Sequence, residues 1–266
     1  MSLPSFQTLK LSLTTDGVLT ITFSTPGGNA MSPELFKEWR EAIRYAQETD
    51  AVKVMVQTGS GRYYSSGKDL RPTMHDSFET EMNEEMDILE DLINALINFQ
   101  KPSIAAVNGP AIGLSVTSLA LFDFVYAVSS ATFTVPFMRW GFCAEGCSSL
   151  LFPRLLGRHT ANELLLAGST LSASALKAVG FLEVLDGGEF IHEVNKKASI
   201  LASYDPTTVR VTKSLVNERY RQELMTVNHT ELSTLKVMMM KHNSRKAIQD
   251  FVDERAAKQQ RKKSKL

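Results

Sequence analysis

The sequence predicts an α/β fold with a largely parallel sheet, and three observations support this prediction. Residues 9–23 alternate apolar and polar side chains on both sides of Asp16-Gly17, a pattern typical of an antiparallel hairpin. Strand-like and helix-like segments then alternate along the middle of the chain, which favours right-handed βαβ units and hence parallel strands. Past about Glu189 the pattern becomes helical throughout.

Local patterns place the elements of the first half. Ser32 can cap, and Pro33 can open, a helix whose apolar residues recur at helical spacing. Residues 76–99 have a helical pattern with many acidic and no basic side chains, which indicates a solvated face. A buried strand is expected at residues 52–58, and further strands are expected at residues 103–107 and 123–128.

The last part of the chain is predicted to consist of helices. Ile191, Val194, Ala198 and Leu201 lie on one apolar stripe, and a break follows at Asp205-Pro206. Helices are expected to continue to about residue 257. Such a region can cover the core of its own chain or of a neighbouring chain, and the sequence leaves both alternatives open.

The composition disfavours several classes of function. The 266 residues carry 29 basic and 29 acidic side chains, so no overall field recruits nucleic acid or an anionic membrane. The first residues lack the features of a secretory signal, and no apolar run approaches membrane-spanning length. Cys143 and Cys147 are too few for a disulfide scaffold or a zinc site, so we expect two reduced thiols.

Two familiar motifs fail in their details. Residues 59–67 resemble a phosphate-binding loop, but Tyr64 stands where the dinucleotide fingerprint needs its third glycine, and no Gly-Lys-Ser/Thr follows. Around Ser115, Thr117 stands where a nucleophile elbow needs its second glycine. Nucleotide binding of these kinds and serine hydrolysis are therefore disfavoured.

Two other turns combine strand ends with small residues. The segments YYSSGKDL (63–70) and NGPAIGL (108–114) have the composition that lets backbone N–H groups face a ligand. If both turns lie at one edge of the sheet, their N–H groups can converge on one oxygen atom as an oxyanion hole.

Glu145 is a lone carboxylate beside Phe142, Cys143 and Ala144. Poor solvation there would raise its pKa toward working pH and make it a better base, whereas the N-terminus of the following helix would oppose that shift. The alternative interpretation is a glutamate in the first helical turn that complements the helix dipole.

Four segments, in order, carry a resemblance to a known family. They are YYSSGKDL (63–70), AAVNGPAIGLSVTSLALFDFVYA (105–127), ATFTVPFMRWGFCAEGCSSLLFPRLLG (131–157) and ELLLAGSTLSASALKAVGFLEVL (163–185). Together they resemble the crotonase superfamily, and within it the peroxisomal Δ3,Δ2-enoyl-CoA isomerases.

The resemblance implies an α/β crotonase spiral of ββα turns over residues 1–190. A helical trimerisation region would follow at 191–260, and an exposed tail at 261–266. The expected assembly is a homotrimer or a homohexamer.

The resemblance also implies an acyl-CoA site. The thioester oxygen would be held by the backbone N–H groups of Lys68 and Leu114, which follow Gly67 and Gly113. Ser66, Gly67, Asp69 and Leu70 would line the same CoA-binding turn, together with Gly113. The Lys68 side chain either approaches the CoA phosphates or is solvated.

The position of the base decides which reaction the resemblance implies. Hydratases of this fold carry two glutamates, and this chain has Thr117 and Phe137 at those places, so hydration is disfavoured. Isomerases similar to this chain take their base from the position of Glu145, which would move the double bond of a 3-enoyl-CoA into conjugation. No metal or redox cofactor is expected. The alternatives are hydration, dienoyl isomerisation and non-catalytic binding of acyl-CoA.

Several other residues carry weaker expectations. Asp123 is expected to make structural hydrogen bonds. Arg139, Trp140 and Phe142 either shape the acyl pocket or pack in the core. The chain closes with Ser264-Lys265-Leu266, a tripeptide read by the peroxisomal import receptor, so we expect a peroxisomal or glycosomal location.

Overall fold

The computed structural model describes residues 3–70, 78–185 and 189–263, which form two sheets and their surrounding helices. The strands are β1 (Leu9–Leu13), β2 (Val18–Phe23), β3 (Val54–Gly59), β4 (Ser103–Val107), β5 (Ala111–Ile112), β6 (Phe124–Ala127), β7 (Thr132–Thr134), β8 (Thr170–Ser172) and β9 (Glu183–Val184). The helices are α1 (Pro26–Asn29), α2 (Pro33–Glu48), α3 (Phe78–Ile97), α4 (Leu114–Thr117), α5 (Phe137–Trp140), α6 (Ser148–Leu156), α7 (Arg158–Leu165), α8 (Ala173–Ala178), α9 (Phe190–Ser203), α10 (Pro206–Met239) and α11 (His242–Lys263), with a 3₁₀ turn at Ser118–Leu121.

The larger sheet has the strand order β1-β2-β3-β4-β6-β9. Its first two strands form the predicted antiparallel hairpin, and Gly17 adopts a φ of 96° in the turn. Every later pair of neighbours in this sheet is parallel, as the alternation of strands and helices predicted. The three strands predicted in the middle of the chain are β3, β4 and β6, and their bounds differ from the prediction by at most two residues.

The smaller sheet, β5-β7-β8, turns the chain into a spiral. After β4 and after β6 the chain crosses from the larger sheet to the smaller one, where β5 and β7 pair in parallel, and then enters a helix. After β3, the chain also reaches the smaller sheet before it enters α3, because Ser65 forms an isolated parallel bridge with Ala111 of β5. The repeated unit of strand, strand and helix agrees with the predicted ββα turns.

Helices cover both faces of the larger sheet. In the main core, the ring of Trp39 on α2 stands edge-on to Phe23 at 5.0 Å between centroids. A second buried cluster joins Val194 and Ala198 of α9 to Val54. The first helix of the region predicted for trimerisation therefore completes the core of its own chain.

Two long helices follow α9. Asp205 caps α10 at the predicted break, where its side chain accepts from the Thr208 N–H at 2.8 Å. The prediction that helices end at about residue 257 is wrong, because α11 continues to Lys263 through residues that include no Gly or Pro. The predicted targeting residues Ser264, Lys265 and Leu266 lie outside the described residues. No helix within the described ranges is long and apolar enough to cross a membrane.

Asp123 has the structural role predicted for it. Its Oδ2 accepts from the N–H and the hydroxyl of Ser103 at 2.8 and 2.9 Å, and it pairs with the Lys213 ammonium at 2.7 Å. This network ties the start of β4 to α10.

Candidate active site

A cavity of about 340 Å³ opens beside the turn that follows β3. Its walls come from that turn, from α3 and α4, and from α10 and α11. Every predicted substrate-binding residue lines it together with the predicted base: Ser66, Gly67, Lys68, Asp69, Leu70, Gly113, Leu114 and Glu145. The fold thus brings the predicted site residues to one place.

Asn29 fixes the loop that leads into this turn. It is buried and adopts a φ of 61°, a left-handed conformation that asparagine tolerates better than most residues. Its Nδ2 donates to the carbonyl oxygens of Ser60 and Tyr63 at 2.9 and 2.8 Å. The hydroxyl of Ser65 donates to the Asn29 carbonyl at 2.7 Å. Asn108 adds a second contact, because its Nδ2 donates to the Gly61 carbonyl at 2.9 Å, so two asparagine side chains hold the loop between β3 and Ser65.

The backbone N–H of Lys68 has no acceptor among the described residues. On one side of this segment, the Met31 N–H donates to Gly67 O at 2.9 Å, and the Asp69 N–H donates to Met31 O at 2.8 Å. Because adjacent N–H groups of an extended segment point to opposite sides, the Lys68 N–H points away from Met31. It therefore remains available to a ligand in the cavity.

The backbone N–H of Leu114 is in a similar position. Leu114 is the first residue of α4, where a backbone N–H has no intrahelical acceptor, and the described part of the chain offers no other. A parallel bridge joins Ser65 to Ala111, and Lys68 and Leu114 each follow the bridged residue of their segment by three positions. Two amides without acceptors in the described structure thus line one cavity.

Glu145 is only 3% exposed. Thr117 Oγ1 donates to its Oε1 at 2.9 Å, whereas Oε2 is buried and has no partner among the described residues. Burial raises the pKa of Glu145 to about 8; the Thr117 hydrogen bond opposes this rise, the Glu231 carboxylate adds to it, and the charge of Lys68 opposes it. Burial thus outweighs the effects that oppose it, a balance that the sequence left open.

Glu145 does not cap the helix that follows it. α6 begins at Ser148, so Glu145 lies before its first turn. The N–H groups of Cys147 and Ser149 donate instead to the Glu231 carboxylate at 2.7 and 2.8 Å. The interpretation of Glu145 as a first-turn residue is therefore wrong, because a carboxylate from α10 occupies that place.

The Lys68 side chain turns into the cavity wall. Its ammonium pairs with the carboxylate of Glu85 on α3, and the two side chains are 22% and 11% exposed. A nearly buried carboxylate is costly without a partner, so the pair satisfies Glu85. In this position the Lys68 ammonium is paired rather than freely solvated, which contradicts one of the two alternatives expected from the sequence.

Residues 14–262 match the family model described as Enoyl-CoA hydratase/isomerase. The chain belongs to the enoyl-CoA hydratase/isomerase family. The match spans the spiral and nearly all of the C-terminal helical region, so the fold class predicted from the sequence is confirmed.

Some relatives of this family member are named as enoyl-CoA delta isomerases, and others are named as chromodomain proteins. It is 36% identical to "Enoyl-CoA delta isomerase 3, peroxisomal" of Mus musculus, over 91% of this chain and 77% of that protein. It is 37% identical to "Enoyl-CoA delta isomerase 2" of Rattus norvegicus, over 89% of this chain but only 61% of that protein. "Testis-specific chromodomain protein Y 1" of Homo sapiens is 34% identical over 83% of this chain and 42% of its own length, and its name mentions no isomerase.

Solved structures of the family share the fold. An enoyl-CoA hydratase/isomerase from Pseudoalteromonas atlantica superposes with a TM-score of 0.84 at 27% identity, covering 93% of this chain and 98% of that one. An enoyl-CoA hydratase from Mycobacterium avium gives a TM-score of 0.83 at 26% identity, covering 94% and 97%. A structure named as a hydratase/isomerase and one named as a hydratase therefore both share the fold of this family member.

Two positions distinguish this family member from the glutamate pair that the resemblance implies for hydratases. Thr117 occupies the first position and donates a hydrogen bond to Glu145. Phe137 occupies the second and is a buried part of the cavity wall. Neither can exchange a proton with substrate as a carboxyl group can.

Apolar side chains form most of the remaining wall. Trp140 and Phe142 line the cavity, as does Arg139, whose guanidinium carbon lies 5.0 Å from the centroid of the Trp140 ring. Phe251 of α11 packs against Trp140 at 4.6 Å between centroids. The wall also includes Met86, Leu89, Leu235 and Met239. The C-terminal helices thus cover the cavity of their own chain.

Sequence reasoning missed two carboxylates near this cavity. Glu85 belongs to the acidic helix that was predicted to be solvated, yet it is only 8% exposed. Its helical spacing with the buried Met82 and Leu89 was the signal that places it on the inner face. Glu231 has no comparable local signal, because its partners Cys147 and Ser149 lie more than 80 residues earlier in the chain.

Proposed function

We propose that this family member is a Δ3,Δ2-enoyl-CoA isomerase, which moves the double bond of a 3-enoyl-CoA into conjugation with the thioester. The observation that carries the proposal is one buried carboxylate, Glu145, with its Oε2 unpaired among the described residues and its pKa raised to about 8. It lies in the same apolar cavity as the two amides of Lys68 and Leu114.

In the first step, Glu145 Oε2 accepts a proton from C2 of the bound 3-enoyl-CoA. The C2–H bond breaks, and its electron pair spreads over a dienolate that ends at the thioester oxygen. The Lys68 and Leu114 amides would donate to that oxygen. One such donor contributes about 3–4 kcal/mol of transition-state stabilisation in enzymes with an oxyanion hole.

In the second step, the protonated Glu145 returns its proton to C4. The C4–H bond forms, the carbonyl is restored and the double bond lies between C2 and C3. One carboxyl group serves both steps, so the reaction needs no second acid and no net proton from solvent. The proposal involves no metal or redox cofactor, and coenzyme A enters only as part of the substrate.

The pKa of Glu145 suits both halves of this cycle. A base with a pKa near the operating pH takes a proton from carbon more readily than an ordinary carboxylate and still releases it. Thr117 engages Oε1 and leaves Oε2 for the proton. The second carboxylate of the cavity, Glu85, is paired with Lys68.

The rival proposals are hydration, dienoyl isomerisation and non-catalytic binding of acyl-CoA. Non-catalytic binding draws support from the chromodomain relatives, whose names carry no enzymatic reaction. A protein that only binds has no need of the buried Glu145 carboxylate, which costs free energy of folding.

Three substrates separate these alternatives. From trans-3-hexenoyl-CoA the protein should produce a thioester of unchanged mass whose ultraviolet absorbance shows conjugation. A hydratase would instead add one water to trans-2-hexenoyl-CoA, and a dienoyl isomerase would act only on a dienoyl-CoA. Binding of all three thioesters without any product would replace the isomerase by the binding protein.

The proposed compartment is the peroxisome or glycosome, with the import receptor as a partner. Support comes from the tripeptide Ser264-Lys265-Leu266 and from the word peroxisomal in the name of the mouse relative. A fluorescent fusion that keeps the tripeptide exposed should enter peroxisomes, and the same fusion with Leu266→Asp should remain outside.

The proposed assembly is a homotrimer or homohexamer. The first half of α10 exposes Val211, Leu215 and Val216, at 53, 74 and 61%. Apolar surface of this kind is typical of protein contacts. Light scattering should give three or six times the mass of the 29.5 kDa chain. Leu215→Glu should shift the measured mass toward that of a monomer.

A further inference from the structure

Glu231 is a buried carboxylate that the mechanism above does not use. It lies on α10 and is 6% exposed. Its Oε2 accepts from the Cys147 N–H at 2.7 Å, and its Oε1 accepts from the Ser149 N–H at 2.8 Å. Burial raises the pKa of Glu231, and the hydrogen bonds from the Ser149 and Cys147 amides oppose this rise because they favour the ionised carboxylate. None of the salt bridges among the described residues includes Glu231.

These two hydrogen bonds hold an unusual backbone conformation. Gly146 and Cys147 adopt φ values of 67° and 61°, and the left-handed region is uncommon for a residue with a side chain. A Cβ on Gly146 would lie 2.9 Å from Thr117 Oγ1, so the loop packs directly against the threonine that contacts Glu145. The Glu145 loop is thus held between Thr117 on one side and Glu231 on the other.

The charge of Glu231 also reaches the base. The Glu231 carboxylate raises the pKa of Glu145, and it contributes to the raised pKa of the Cys143 thiol, about 11, after burial. The other charged or titratable groups around Glu145 are Lys68 with its partner Glu85, Asp69 and Arg139 in the cavity wall, and the thiols of Cys143 and Cys147. Lys68 acts in the opposite direction to Glu231.

We propose that Glu231 is a positioning residue for the reaction: it fixes the loop that presents Glu145 and, by its charge, keeps Glu145 a stronger base. This inference rests on the proposed function, because it takes Glu145 as the base. It gives α10 a role in the chemistry of its own subunit that is separate from any role in assembly.

The first test is the pH dependence of kcat/KM for the parent and for Glu231→Gln, with 3-hexenoyl-CoA as substrate. Glu231→Gln should lower the apparent pKa by at least half a unit and the plateau by about tenfold, because one negative charge and one of the two amide contacts are lost. The matched control is Glu223→Gln, on the same helix and paired with Arg154 of α6 at the surface. The control should leave both quantities unchanged.

A folded Glu231→Gln protein with the apparent pKa of the parent would overturn the inference, whatever its plateau. If Glu231→Gln does not fold, Glu231→Asp replaces it, since aspartate keeps the charge but withdraws it by one methylene. The apparent pKa of Glu231→Asp should fall below that of the parent, but by less than in Glu231→Gln. An apparent pKa equal to that of the parent would again overturn the inference.

A second readout does not depend on turnover. In a double-mutant cycle of thermal midpoints at pH 8, Glu145→Gln should raise the midpoint less in the Glu231→Gln background than in the parent, because the repulsion is already gone. Equal increases would overturn the inference. If the parent shows no isomerisation but the cycle shows this coupling, the proposed function fails while the electrostatic link between Glu231 and Glu145 stands.

Discussion

Thr117 Oγ1 lies 2.9 Å from Oε1 of Glu145, and the other oxygen of the same buried carboxylate has no partner among the described residues. The two oxygens therefore have different environments. One is held by a hydroxyl that favours the ionised form, and the other is buried without such a partner, on a side chain that lines the cavity. This asymmetry orients the carboxylate and leaves one oxygen for the proton.

Thr117→Val should weaken the base at neutral pH. Loss of the hydrogen bond raises the pKa of Glu145 further above 8, so the profile of kcat/KM against pH moves to higher pH. Each unit of that shift costs about tenfold in activity at pH 7, because the ionised fraction falls by that factor. Thr212→Val, at an exposed position of α10, is the control. An unchanged profile in Thr117→Val would show that the hydroxyl does not influence the base.

Glu145 should make the protein less stable as pH rises. Its pKa is about 8 in the folded state and 4.5 ordinarily, so between these values the folded state holds a proton that the unfolded chain has lost. The stabilising contribution is complete below pH 4.5, falls by up to about 1.4 kcal/mol per pH unit, and is lost above pH 8. Glu145→Gln should therefore gain stability relative to the parent between pH 5 and 8 in urea unfolding. Parallel curves for the two proteins would contradict the raised pKa.

Leu114→Pro should remove one oxyanion donor with limited damage to the fold. Leu114 is the first residue of α4, a position where proline is tolerated, and its N–H has no acceptor in the described structure. We expect kcat to fall by about 10²–10³-fold, the effect of losing one such donor. Leu114→Ala keeps the N–H and should retain most of the activity. Equal losses in both variants would assign the effect to the leucine side chain.

Lys68→Met should separate the backbone role of Lys68 from that of its side chain. The variant keeps the amide, so the plateau of kcat/KM should remain within about threefold of the parent. Loss of the ammonium should raise the pKa of Glu145, which moves the pH profile upward, and it leaves Glu85 buried without its partner, which lowers the thermal midpoint. Lys68→Arg preserves the charge and should restore both the parental pH profile and the parental thermal midpoint. A drop in the plateau comparable to that of Leu114→Pro would indicate that the ammonium itself contacts the oxyanion.

The features that the sequence could predict are those set by neighbouring residues. The hairpin at Asp16-Gly17 and the cap at Asp205 each depend on a few consecutive side chains. The low solvation of Glu145 also follows from its local setting, but the sequence left open whether burial or the helix N-terminus would decide the direction of its pKa shift. The gathering of Lys68, Leu114 and Glu145 around one cavity was expected from the family resemblance rather than from their local patterns.

The features that the sequence could not predict depend on contacts between distant segments. Glu231 reaches the start of α6 only because α10 packs beside it. The sequence alone therefore could not decide whether Glu145 lies in the first turn of that helix. The Lys68 side chain turns inward because Glu85 lies on the inner face of α3. Such pairings are set by tertiary packing, for which a single sequence gives no register.

The most direct test of the central claim is a comparison of the parent with Glu145→Gln under single-turnover conditions, with enzyme in excess over trans-3-hexenoyl-CoA. Binding is measured for both proteins in parallel. We predict similar binding, rapid growth of the conjugated absorbance in the parent, and a rate at least about 10³-fold lower in Glu145→Gln, because the base that moves the proton is absent. Conjugation at the parental rate in a folded Glu145→Gln protein would contradict the account.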